Sequence, residues 1–226
     1  MSEYWIGLKT PFFELKNEKE TFFGGRQQWF DSKRLRGYAC GVIACANILT
    51  HCRLWGSDSF RKIPECEEYL KLSRDLTRFY LPVIPRFGMN GMFMALGINI
   101  YFLIHRLPYR AFWGISKKKI DSRIGRMLAA NIPVCLAIGP NFPNLFGNHR
   151  LTLYRKNGNS YEPSDSTRAH YVSVTAMDGD WYEISTWGYK MYINKKEYFE
   201  YIRKHSSSLF SNVLVVKPLH SACGAC

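Results

Sequence analysis

The chain has 226 residues, of which 46% are hydrophobic and 15% aromatic. That is enough apolar material for one compact domain and too much for a disordered chain. A formal net charge of +13 favours acidic partners, whether nucleic acid, an anionic membrane or an acidic substrate, without choosing among them.

No apolar run approaches ~18 residues, so no membrane span is expected. Met1 to Lys9 carries Glu3 and lacks a basic region followed by an apolar run, unlike a secretory signal. The expectation is a cytoplasmic protein whose seven cysteines (Cys40, Cys45, Cys52, Cys66, Cys135, Cys223 and Cys226) are reduced thiols.

In chain order, Tyr4 to Phe30 reads as a polar, aromatic-rich approach broken at Gly24-Gly25. Lys33 to Ala39 is a basic lead into a helix expected from about Cys40 to Cys52, where Val42, Ile43, Ala46 and Leu49 share one side. A second helix is expected over Glu65 to Phe79, supported by the Glu67–Lys71 spacing. Pro82 and Pro85 break the chain. Asn90 to Leu96 suits a short helix, Asn99 to His105 an extended apolar segment, and Lys117 to Ala130 a helix with Ser116 as N-cap.

From Pro133 the pattern turns to strands. Pro133 to Ile138 is a short apolar run, and Leu151 to Arg155 leads into a hairpin turn at Lys156-Asn157-Gly158-Asn159. His170 to Ala176 alternates, followed by a turn at Asp178-Gly179 and a strand Trp181 to Ile184, and Asn212 to Lys217 reads as a last strand. Helices first and an antiparallel sheet second define an α+β fold.

Cys40 stands at a helix start, immediately before Gly41. Free N–H groups and the positive end of the helix dipole favour a thiolate there, and Arg34 and Arg36 push the same way. Cys45 and Cys52 fall at about 140° and 120° around the helix from Cys40, which suits core packing. A nucleophilic thiol needs a base. Of the six histidines, His170 is best placed, opening a strand anchored by Val172 and Val174; His149 is a weaker candidate.

The run HYVSVTAMDGDWYEISTWG from His170 to Gly188, together with Gly37-Tyr-Ala-Cys-Gly41, resembles the histidine and nucleophile segments of papain-like cysteine peptidases. The 130 residues from Cys40 to His170 fall within the spacing known for papain-type enzymes. The helix-Asn131-Ile-Pro133-Val134 approach and Trp187-Gly188 followed by Tyr192-Ile193-Asn194 and a helix-like Lys195 to Ile202 are similar to the bacterial double-glycine (bacteriocin-processing) branch.

The resemblance implies a single papain-like domain over residues 1–226, with a helical lobe (about 31 to 115) carrying Cys40 and a sheet lobe (about 116 to 218) carrying His170 and Ser185. It implies Cys40 as nucleophile, His170 as general base and acid, and Ser185 at the position of the family's imidazole-orienting Asn or Asp. Trp187 would shield that contact from water. The family's oxyanion glutamine, six residues before the nucleophile, is replaced by Arg34, with Gln27 and Gln28 further upstream by counting.

The implied activity is thiol-dependent acyl chemistry on a peptide or peptide-like acyl substrate. Peptide-bond hydrolysis leads; acyl transfer to an amine and a catalytically inactive peptide-binding homologue are the alternatives. No cofactor or metal is expected. Cys223-Gly-Ala-Cys226 is a lone CxxC without the second pair a zinc site needs. No Walker, HExxH or GxSxG motif is present, and no clustered basic-aromatic motif supports specific nucleic-acid binding.

Overall fold

Small and aliphatic side chains from Val42 to Cys52, without proline or internal glycine, make a helix that can be buried on every side, and the fold is arranged around it. The computed structural model describes residues 5–55, 63–84, 88–140 and 148–219; Pro85 and the Cys223/Cys226 pair lie outside them.

In chain order come β1 (Trp5–Gly7), β2 (Glu14–Lys16) and β3 (Thr21–Phe23), a 3₁₀ turn Gln27–Trp29, α1 (Lys33–Tyr38) and the central α2 (Cys40–Trp55). Next are α3 (Cys66–Phe79), α4 (Gly91–Ile104), β4 (Tyr109–Trp113), a 3₁₀ turn Lys117–Lys119, α5 (Ile120–Ala129) and β5 (Val134–Ile138). Strands β6 (Leu151–Asn157), β7 (Ser160–Thr167), β8 (His170–Asp178), β9 (Trp181–Thr186) and β10 (Tyr189–Asn194) precede α6 (Lys195–His205) and β11 (Val213–Pro218).

The large sheet runs β4-β11-β5-β8-β9-β10-β6-β7, with β1 on the far end of β8, and its pairings are antiparallel. A mixed α+β architecture is thus observed. Helix α2 lies on the face bearing Tyr171 and Ser173. Helix α5 lies on the other, where Asp121 accepts from the Tyr182 hydroxyl and Gly125 approaches Met177.

Several expectations need correction. Residues 99–104 continue α4 as helix rather than forming a strand: Gly97 fits against the Tyr80 carbonyl, where no Cβ has room, and Tyr101 and Phe102 are buried. An almost wholly apolar segment has no readable period, so its sequence could not decide between the two. Ser116 makes no side-chain cap, and its turn is 3₁₀. The helical and sheet parts do not separate along the chain, since β1 and β4 both join the large sheet. The second turn is Gly179-Asp180, one residue later than expected, with β8 reaching Asp178.

The ends of the sheet are managed differently. At β4, the Asn99 side chain of α4 occupies the free edge, accepting from the Ala111 N–H (2.7 Å) and donating to the Ala111 carbonyl (2.9 Å). At β7, Pro163 lacks an N–H and Glu162 and Asp165 add charge, devices that discourage strand addition.

One buried amide binds the parts together. Asn47 on α2 donates to Ser173 Oγ of β8 (3.1 Å) and accepts from the Gly25 N–H (3.0 Å) and the Tyr69 hydroxyl of α3 (2.7 Å). It is 1% exposed, so the Gly25 N–H and the Ser173 hydroxyl would lose a buried partner without it, while the Tyr69 hydroxyl also reaches the Ile43 carbonyl (3.1 Å). Asn47→Ala is expected to lower unfolding free energy by about 3 kcal/mol, measured by urea denaturation. A loss below about 0.5 kcal/mol, the size of an ordinary surface substitution, would show that water replaces the amide at no cost.

Candidate active site around Cys40 and His170

Cys40 is the first residue of α2. Ala39 precedes it and accepts from the Ile43 N–H (3.1 Å), so the N–H groups of Cys40 and Gly41 are left without helical partners. These two groups and the N–H of Tyr171 on β8 act to lower the thiol pKa. Gly41 permits this docking: a Cβ there would stand 3.0 Å from Met94 Sδ and 3.2 Å from the Tyr171 ring. The Tyr171 hydroxyl donates to the Met89 carbonyl (2.8 Å). The thiol therefore sits half-buried where α2, α4 and β8 meet.

His170, one residue before Tyr171, opens β8. Its Nε2 is hydrogen-bonded to Thr186 Oγ1 at 2.7 Å, and its ring stacks on Trp187 at 4.9 Å between centroids. Tyr171 and Ser173 turn toward α2, whereas His170 has the alternate parity on the strand. No hydrogen bond joins thiol and imidazole among the described residues.

Ser185 does not orient the imidazole. Its hydroxyl donates to the Phe23 carbonyl (2.6 Å) and lies against Gly24, whose φ of +77° and lack of a Cβ let the N-terminal segment pass. The reason is a β-bulge. Met177 pairs with Tyr182, so an unbroken register would set Val174 opposite Ser185, on the His170 side. The extra residue Thr175 shifts the pairing to Val174–Ile184 and Ser173–Ser185, and Thr186 takes the face that His170 occupies.

Trp187 and Gly188 form the β9–β10 turn with φ of +51° and +81°, the pattern of a type I′ hairpin. A tryptophan in the left-handed region carries backbone strain of roughly 1–3 kcal/mol. What is gained is an indole lid on the imidazole.

The other sequence candidates are placed elsewhere. His149 stacks on His205 at 3.7 Å. Arg34 is exposed on α1, whereas Gln27 is buried and donates to the Arg36 carbonyl (2.7 Å). Asp178 closes the far end of β8, 3.7 Å from the Lys156 ammonium. The described cysteines Cys40, Cys45, Cys52, Cys66 and Cys135 are free thiols. Among the described residues no group of three or more His, Cys, Asp or Glu side chains could hold a metal, and no helix is long and apolar enough to cross a membrane.

Burial governs the electrostatics. It pushes the Cys40 thiol above its ordinary value against the opposing N–H groups of Tyr171, Gly41 and Cys40 itself. It lowers His170 to about 4, with Asp165 working weakly the other way. Both groups are therefore held neutral near pH 7. Comparison with known proteins returns no matching family model and no matching curated sequence.

His51, buried in α2, is likewise lowered to about 4 by burial, with Asn131 working the other way. The folded chain keeps His51 and His170 neutral, while the unfolded chain protonates them below about pH 6.5. Stability should be full above that pH and fall toward pH 4, each histidine contributing a slope of up to ~1.4 kcal/mol per pH unit. Urea midpoints across this range check it, and His170→Gln should remove one share of the slope. Trp187→Asn, which suits the turn, should leave the fold intact and raise the His170 pKa toward its ordinary value in an NMR titration.

Proposed function

We propose that the chain is a papain-like enzyme of cysteine-dependent acyl chemistry, acting on a peptide or peptide-like substrate, with hydrolysis as its main outcome. The observation that carries this reading is the packing of the Cys40 end of α2 against Tyr171, the residue next to His170. A thiol at a helix mouth and the start of a histidine-bearing strand, far apart in sequence, meet at one point of the fold. The shielding of the imidazole by a hydroxyl and an indole supports the same reading.

In this reading the Cys40 thiol gives its proton to His170 as the sulfur attacks the acyl carbon. The imidazolium then protonates the leaving amine, and water releases the acyl group from sulfur. With Nε2–H donating to Thr186, Nδ1 carries the lone pair that accepts the thiol proton. The N–H groups of Cys40 and Gly41 are the donors available to the oxyanion. Thr186 is a positioning residue: it supplies a hydrogen bond but no charge, consistent with an imidazole that rests neutral. An amine in place of water would make the same acyl-enzyme a transferase.

The absence of a thiol–imidazole hydrogen bond favours a second reading, a cleft that binds peptide without turnover. Alkylation separates the two. Cys45, Cys52 and Cys135 are too buried to serve as controls, but Cys66 is half-exposed, with its thiol donating to the Lys16 carbonyl at 3.3 Å. An assembled site predicts that a peptide chloromethyl ketone labels Cys40 in preference to Cys66 at pH 7. His170→Ala should slow that labelling about a hundredfold, the scale of a lost general base. Thr186→Val should slow it about fivefold, the worth of one hydrogen bond, and Ser185→Ala should leave it unchanged. Equal labelling of Cys40 and Cys66, indifferent to His170→Ala, would leave only the binding reading.

A further inference from the structure

Helix α4 has an outer side that the fold leaves uncovered. At 100° per residue, Met92, Leu103, Leu96, Ile100, Phe93 and Ile104 fall in that order within an arc of about 120°. All six are exposed, from Ile100 at 41% to Leu103 at 78%. The opposite side, with Met94, Ile98, Tyr101 and Phe102, is buried, and the sole strongly polar side chain, Asn99, is engaged by the β4 edge. The arc is about 18 Å long and presents no hydrogen-bonding side chain. A continuous apolar surface of this kind marks an interaction site.

Its surroundings are basic. From Leu76 to Ile120 the sequence contains no aspartate or glutamate, while Arg78, Arg106 and Arg110 lie within it. Arg78 closes α3, whose following Tyr80 carbonyl abuts Gly97. Arg106 follows α4 directly, and Arg110 is on the strand that Asn99 caps. Arg110 and Lys217 also sit over the exposed Phe112 ring, at 5.2 and 5.7 Å from its centroid.

We infer that the outer face of α4 docks on an anionic lipid bilayer, lying in the interfacial plane with its apolar arc among the acyl chains and the arginines and Lys217 at the headgroups. A fourteen-residue apolar helix is too short to cross a bilayer but suits an interfacial position. Pairing two copies through this face would bring two basic rims together with no acid from the same segment to neutralise them. Nucleic acid would satisfy the rim and leave the apolar arc wet. The inference does not rest on the chemistry of Cys40, although Met94 of α4 touches the α2 start beside it.

The test is flotation of the whole chain with phosphatidylcholine vesicles, with and without phosphatidylserine. The expected result is co-flotation with the anionic vesicles alone, weakening as salt rises. Leu96→Gln with Leu103→Gln should lower partitioning at least tenfold, with circular dichroism and the thermal midpoint unchanged because both side chains are exposed. Arg106→Glu with Arg110→Glu should also lower it by about tenfold or more, which keeps the test decisive should the leucine variant misfold. Failure to float with anionic vesicles overturns the proposal. So does leucine-variant binding equal to that of the unaltered chain, or a lipid-free dimer that the leucine substitutions dissolve.

Discussion

The rest of the molecule depends on how the first two turns of α2 are held to β8. Apolar contact supplies most of the attraction, but it is non-directional and would tolerate a helix slid along the sheet. The Asn47 amide does not. It has one geometry in which it serves Ser173, Gly25 and Tyr69 together, and that geometry fixes how far the N-terminus of α2 projects. Cys40 lies about two turns away along the same helix, so its height over the strand follows from a residue that takes no part in any chemistry.

Desolvation sets the character of the site. Three N–H groups favour a thiolate, yet removal from water outweighs them, and the imidazole behind Trp187 is affected in the same sense. Both groups therefore rest neutral, and in the proposed function the proton would stay on sulfur until a bound substrate supplied compensating dipoles.

Much of this was legible in the sequence, and where it was not the reasons are physical. The helix starting at Cys40 and the strand starting at His170 announce themselves because small residues and alternation are local signals. The partner of His170 could not be read, since choosing between Ser185 and Thr186 requires knowing that Thr175 is bulged. Bulges arise from tertiary fit more than from any residue type. The tail of α4 was misread because a segment apolar on all sides carries no period. The strands β1 and β4 escaped notice for another reason: each is short and owes its conformation to a ladder partner far away in the chain.

The treatment of the two sheet edges limits how any extended polypeptide could be received. Many recognition modules let a guest segment continue their sheet by backbone pairing, with little regard to its side chains. Here Asn99 already plugs one border and Pro163 with its acidic neighbours spoils the other, so a visiting chain finds no ladder to extend at either. Under the proposed function, a guest would be chosen by its side chains more than by its backbone.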